Sequence, residues 1–252
     1  MPVIIVTGAS RGIGACIADI VLGDKESSIV AVARSEDALR NLKIKYGEER
    51  VATVQGDLAD EVVVKQVVEL CIGKFGRIDS IVANAGILEP VQRVELADIK
   101  EWKHLFDVNF FSIVSLVAQS IPYLKESKGN VIMVSSGAST KGYYGWGAYA
   151  ASKAAVNQFA IQLTSEEPEI SAVAIAPGVV DTQMQVEIRD KFGADMTKEA
   201  HKRFTDLKRN QELLDPSVPA RIYANIALRG IDKEINGKYL RYNDQLLDKY
   251  TK

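Results

Sequence analysis

Cysteine, histidine and net charge are all scarce in this chain of 252 residues. Its two cysteines, Cys16 and Cys71, stand far apart, each in a segment of helical, partly apolar pattern. That favours reduced packing residues over a disulfide or a metal site. The two histidines, His104 and His201, have no further ligand at helical or hairpin spacing, so no metal is expected. A net charge of −2 leaves no basic field for nucleic acid or for anionic lipid. No apolar run approaches the length of a membrane span. Met1-Pro2 leads straight into an apolar run with no charged leader or cleavage site. A reduced, cytoplasmic protein with neither nucleic acid nor membrane as partner is therefore expected. No stretch rich in Pro, Gly or Ser interrupts the chain and no repeat stands out, which argues for one domain over residues 1–252.

What the chain does have is an alternation of short β-branched runs with longer helical patterns, the sign of βαβ units. Strands are expected at Val3–Val6, Ser28–Ala33, Val51–Val54, Ser80–Ala83, Asn130–Ser135 and Ser171–Ala176, with a short last one at Lys238–Leu240. Helical spacing covers Ile13–Leu22, Glu36–Tyr46, Glu61–Lys74, Asp98–Leu124 and Ala148–Thr164. Pro122 suggests a kink or an end in the fourth of these. After Pro177-Gly178 the regularity drops; residues 183–211 are charged and weakly apolar, and Asp215-Pro216 opens a further helix. The expected architecture is α/β: a single-domain Rossmann fold with a doubly wound, seven-stranded parallel sheet flanked by helices.

The first strand runs into Thr7-Gly8-Ala9-Ser10-Arg11-Gly12-Ile13-Gly14, and a helix follows at once. Glycines there let the backbone turn tightly and approach a pyrophosphate, whose charge faces the helix N-terminus. The G-x-x-x-G-x-G spacing differs from the usual G-x-G-x-x-G, but the strand–turn–helix context suits a dinucleotide. About 20 residues further on, an acid would hold the ribose 2′-OH of NAD. Arg34-Ser35 occupies that place, and the first acid is Glu36. A guanidinium suits the 2′-phosphate of NADP by bidentate geometry, and Arg11 offers a second charge. The same arginines also fit solvated loops.

Tyr149 and Lys153 form Tyr-x-x-x-Lys near the start of a long helix, on one face. A phenol must have its pKa lowered from ~10 to exchange protons at neutral pH, and a neighbouring cation does that. Alone, the pair is a weak signal. Its company is specific: Thr7-Gly8-x-x-x-Gly12-x-Gly14, Asp57-Leu58, Asn84-Ala85-Gly86, Asn109, Ser135-Ser136 and Pro177-Gly178. In order and spacing, nearly end to end, the chain resembles the short-chain dehydrogenase/reductase family. Ala33-Arg34-Ser35-Glu36, Asn84 to Val91, Trp146-Gly147-Ala148-Tyr149 and Tyr239-Leu240-x-Tyr242-Asn243-Asp244 resemble fungal benzil reductases and sepiapterin-reductase-like carbonyl reductases.

The resemblance implies an NADPH-dependent carbonyl reductase. Tyr149 would protonate the carbonyl oxygen, Lys153 would lower its pKa and hold the nicotinamide ribose, and Ser136 would bond the same oxygen. Ser135, pointing the other way in a strand, is left out. Asn109 would hold a water linking Lys153 to solvent, and as a helix-interior asparagine it would locally break its helix. Gly8, Ser10, Arg11, Gly12, Ile13 and Gly14 would cradle the phosphates. Asp57 would contact the adenine with Leu58 beside it, and Asn84 and Gly86 would line the cofactor edge. Pro177, Gly178, Val180 and Thr182 would hold the nicotinamide. Ala83-Asn84 replaces the family's doubled asparagine. Tyr242-Asn243-Asp244 replaces an Asp-Gly-Gly ending, which puts the usual tetramer in doubt; a homodimer through the two long helices is implied instead.

Residues 87–93, 137–146 and 183–211 would wall the substrate. Tyr143, Tyr144 and Trp146 suit an aromatic ketone by stacking, or else they pack the loop itself. The resemblance favours a benzil-like α-diketone, and no strong anion receptor stands out in these segments. An NAD-dependent alcohol dehydrogenase of the same fold remains a competing reading. So do an NADPH-binding regulator without turnover and a structural scaffold.

Overall fold

The computed structural model of the chain describes residues 1–252. Seven parallel strands form one sheet: β1 Val3–Thr7, β2 Ser28–Ala33, β3 Val51–Gln55, β4 Ser80–Ala83, β5 Asn130–Val134, β6 Ser171–Ala176 and β7 Tyr239–Arg241. Their order is β3-β2-β1-β4-β5-β6-β7. The chain thus leaves β1 in one direction and resumes at β4 in the other, and the crevice at that reversal is where open α/β sheets bind ligands.

The strands are apolar runs because both faces are covered. Successive residues alternate between them: Val3 and Ile5 enter one core, Ile4 and Val6 the other. The first core is closed by α3 (Glu61–Phe75), α5 (Ser112–Ser127) and α6 (Gly147–Glu166). The second is closed chiefly by α1 (Gly12–Gly23) and α9 (Ser217–Arg229), with Leu39 from α2 (Glu36–Tyr46). The expected fold is the observed one. Cys16 and Cys71 are both free. Cys71 lies in α3, where burial pushes its thiol up to about 12.

Four details depart from the sequence reading. Pro122 neither ends nor breaks α5, which runs on to Ser127; the carbonyl that it leaves without an N–H belongs to Ala118, on the exposed side. The last strand lies one residue later, at Tyr239–Arg241. Residues 183–211 hold two helices, α7 (Gln183–Asp190) and α8 (Lys198–Arg209). Finally, α4 (Ile99–Phe106), a π turn at Asp107–Phe111 and α5 join into a continuous helix of 29 residues. By length and composition it is apolar enough to cross a membrane, contrary to the expectation that no run would be. Its later interruptions, such as Ser115, Gln119 and Ser120, are uncharged, while Leu116, Val117 and Leu124 are buried in the core.

A third apolar cluster stands beyond the strand ends. Trp146, Tyr149, Ile188, Phe192, Met196 and Phe204 meet there, so α7 and α8 form a roof over the carboxyl ends of β4, β5 and β6.

Candidate active site

Beneath that roof lies a cavity of about 720 Å³. It runs from the turn after β1 to the roof helices, and the expected site residues fall on it with two exceptions. Gly8, Ser10, Arg11, Gly12, Ile13, Arg34, Ser35, Asp57 and Leu58 line one end. Asn84, Gly86, Ser136, Tyr149, Lys153, Pro177, Gly178, Val180 and Thr182 line the middle. Gly14 and Asn109 stand behind the wall; Asn109 is fully buried.

The glycine turn is built for close backbone approach. Gly8 and Gly12 have φ of 67° and 54°, where L side chains are strained. Gly14 serves packing instead: a Cβ there would stand 2.2 Å from the Gly8 carbonyl oxygen. Asn84 braces the turn from β4. Its amide donates to the carbonyls of Thr7 (2.9 Å) and Gly8 (3.2 Å), while the Thr7 hydroxyl accepts from the backbone N–H of Asn84 and Ala85 (both 3.0 Å). Thr182 closes over the turn from the other side, its methyl 3.2 Å from where a Cβ on Gly12 would lie. This end of the cavity can take a pyrophosphate against bare backbone. Arg11 and Arg34, both exposed and in no ion pair with any carboxylate of the chain, flank it.

In the middle, α6 presents Tyr149 and Lys153 one turn apart. Tyr149 is 7% exposed; burial raises its pKa, and the facing Ser136 hydroxyl pulls it back down. Lys153 is 3% exposed, and burial lowers its pKa to about 8. Its ammonium donates to the Val134 carbonyl (2.8 Å) and lies 5.9 Å from the centre of the Tyr149 ring. In this geometry the ammonium is not what sets the phenol's pKa: burial dominates, and Ser136 opposes it. Ser136 Oγ accepts from the Ala138 N–H (3.1 Å), which leaves its own proton to donate. Ser135 turns away, as alternation requires, donating to Asn157 Oδ1 (2.5 Å).

Asn109 sits in the π turn, so the helix is locally widened there but runs on unbroken, where a break was expected. Its side chain, however, is fully committed. Oδ1 accepts from the Ile87 N–H (2.8 Å), and Nδ2 donates to the Ile87 carbonyl (2.9 Å) and to Ser152 Oγ (3.2 Å). It thereby ties the loop after β4 to α6. Gly86 keeps that junction tight, since a Cβ there would meet Asn109 Oδ1 at 3.2 Å and Lys153 Nζ at 3.5 Å.

Past Tyr149 the wall is aromatic. Trp146 is stacked between Tyr143 (4.9 Å) and Phe204 (5.5 Å) and stands edge-on to Tyr149 (5.8 Å). These rings pack on one another and also face the cavity, so both readings of the aromatic stretch apply; Tyr144 is off the wall and exposed. No strong anion receptor was expected in the three wall segments, yet Lys141 and Arg203 from them line the cavity, joined by Arg241 from outside them. The sequence assigns no role to Thr7, Ser152 or Arg241. The first two are hydroxyls inside the quoted motifs with nothing local to mark their partners, and the third lies about a hundred residues from Ser136 along the chain.

Residues 2–193 match the family model of the short chain dehydrogenases. The chain is 52% identical over 247 residues to an uncharacterized oxidoreductase of Saccharomyces cerevisiae, covering 97% of each. It is 50% identical over 255 residues to a benzil reductase ((S)-benzoin forming) of the same yeast, again covering 97% of each. A crystal structure of a short chain dehydrogenase/reductase from that organism superposes with a TM-score of 0.98 at 50% identity, covering all of both chains.

Proposed function

The chain belongs to the short chain dehydrogenase family and is an oxidoreductase, and from that premise we propose that it reduces a ketone or α-diketone, aromatic and benzil-like, with NADPH. The observation that carries this reading is the meeting of Ser136, Tyr149 and Lys153 in one cavity whose far end holds Arg11 and Arg34. The side-chain-free turn at Gly8 and Gly12 fits a dinucleotide pyrophosphate. The two unpaired guanidiniums fit a 2′-phosphate, and Glu36, the first acid after Arg34-Ser35, is off the cavity wall.

When bound, NADPH supplies the hydride. Tyr149 gives its phenolic proton to the carbonyl oxygen, and its raised pKa keeps that proton in place at neutral pH. Ser136 donates to the same oxygen and stabilises the charge that develops there. Lys153, held by the Val134 carbonyl, orients toward the ribose and restores the proton to Tyr149. Asn109 fixes the Ile87 loop, and a water in that relay would be served by its main-chain carbonyl, its side chain being spent. Asp57 and Leu58 take the adenine. Pro177, Gly178, Val180 and Thr182 take the nicotinamide. A homodimer through the two long helices would cover Phe111, 53% exposed in the π turn that leads into α5, and Ile161, 48% exposed on α6.

The test is Tyr149→Phe with benzil as substrate. Turnover should fall by roughly 10³-fold, the scale of a lost general acid, with NADPH affinity by fluorescence titration unchanged within a few fold. A variant that still turned over benzil would refute the assignment.

A further inference from the structure

Apart from Lys153 beside Tyr149, the charged side chains on the cavity wall divide into two groups. Arg11, Arg34 and Asp57 stand at the end with the glycine turn. On the far side of Tyr149 stand Lys141, Arg203 and Arg241, and no carboxylate lines the wall there. None of these three cations is within 4.0 Å of an Asp or Glu oxygen of the chain. Arg203 stands over two aromatic rings, its guanidinium carbon 5.6 Å from the centres of both Tyr143 and Phe204, and donates to the Tyr143 hydroxyl (3.3 Å). Arg241, at the end of β7 beside Ala176 of β6, makes no side-chain hydrogen bond in the chain's network. Its Nη1 lies 3.2 Å from where a Cβ on Gly137 would be. The guanidinium therefore reaches over the residue that follows Ser136, and the missing side chain at Gly137 makes room for it. Three like charges around one mouth repel each other, and a low-dielectric wall focuses their field on whatever enters.

We propose that the site takes aryl 2-oxo acids, with the substrate carboxylate held by Arg241. The proposal rests on the carbonyl-reductase reading and names its substrate class. With the ketone oxygen between Ser136 and Tyr149, a carboxylate on the next carbon points along Gly137 to the Arg241 fork, which suits it bidentately. The aryl group then lies on the wall of Tyr143, Trp146 and Phe204. Benzoylformate is the simplest such acid; it is benzil with one benzoyl group replaced by a carboxylate. Its ketone carbon gains hydride, its oxygen gains the Tyr149 proton, and the C=O π bond becomes a C–OH. NADPH is oxidised to NADP⁺, Tyr149 is reprotonated from solvent, and the product is mandelate with its carboxylate untouched.

The test compares benzoylformate with its neutral methyl ester, in the full chain and in Arg241→Met and Arg241→Lys. The native protein should reduce the acid. Arg241→Met should lower the acid-to-ester ratio of kcat/KM at least tenfold, mainly through the acid's KM, and Arg241→Lys should recover part of that loss. Mandelate affinity, measured by calorimetry, should weaken at least tenfold in Arg241→Met, a readout that needs no turnover. Native turnover of benzil and the ester but not the acid would overturn the proposal and leave the reductase reading standing. So would equal losses on acid and ester in a variant with native circular dichroism. If benzil, ester and acid are all refused with NADPH and with NADH, the reductase reading falls first and this one with it.

Discussion

Lys153→Met separates what burial of the ammonium costs from what the ammonium does. In the folded chain Lys153 is 3% exposed, has no carboxylate partner, and has its pKa lowered from its ordinary 10.5 to about 8. The unfolded chain therefore holds this proton over a pH range in which the folded chain has released it, and stability rises with pH between 8 and 10.5. Below pH 8 both states are charged, and the full penalty of roughly 3 kcal/mol applies. Methionine removes the penalty at every pH but strands the Val134 carbonyl, which costs back about 1–3 kcal/mol. The absolute change at pH 7 is therefore small, and the change with pH is the cleaner quantity. From pH 7 to pH 9 the native chain should gain about 1 kcal/mol relative to the variant, by linkage on those two pKa values. The assay is urea unfolding of both proteins at the two pH values. Groups common to the two proteins cancel in the difference, and the same gain corresponds to roughly 2–4 °C in Tm for a chain of this size. Parallel stability at pH 7 and 9 would refute the idea that Lys153 is held as a desolvated, unpaired amine.

Two further outcomes follow from the wall and the outer helices. Arg34→Ala should cut the preference for NADPH over NADH by roughly 10-fold or more, the scale of a lost hydrogen bond to a charged group. Initial rates with each cofactor check it, and an unchanged ratio would show that Arg34 does not read the 2′-phosphate. Phe111→Glu with Ile161→Glu should turn a dimer into a monomer in light scattering, because exposed apolar surface on the two long helices would be replaced by like charges. A native chain that is already monomeric, or a variant that stays dimeric, would count against that interface.

The sheet was legible because it is buried on both faces. Strands such as Val3–Thr7 and Ser28–Ala33 are buried at every position and apolar at all but one, so they stand out as short continuous runs between helical patterns. The roof was less legible. Helices α7 and α8 cover a cavity rather than a sheet, so each buries only a narrow stripe. A signal was there in Ala200, Phe204 and Leu207, spaced as one helical face, but charged neighbours diluted it. Pro122 misled for a related reason. A proline interrupts a helix only if the carbonyl that it leaves free has nothing else to bond, and Ala118 is on the wet side.

Site residues were legible where local chain geometry forces a residue type, and illegible where only the sheet order brings groups together. Gly8 and Gly12 must be glycine for a positive φ, and Tyr149 and Lys153 must be four apart to share a face, so spacing alone exposes them. Arg241 has no such local constraint. Ser136 follows β5 and Arg241 ends β7, and because β6 separates those strands they stand two strand spacings apart, about 10 Å. An arginine side chain spans most of that distance, and Gly137 yields the remainder. The replaced family ending acquires a meaning in the same way. Tyr242 packs its ring 2.7 Å from where a Cβ on Gly178 would be, so the segment after β7 still closes the wall beside the cofactor turn. The family resemblance connects that ending with subunit contacts and with the substrate wall, and Arg241, the last residue of β7 just before it, lines the cavity.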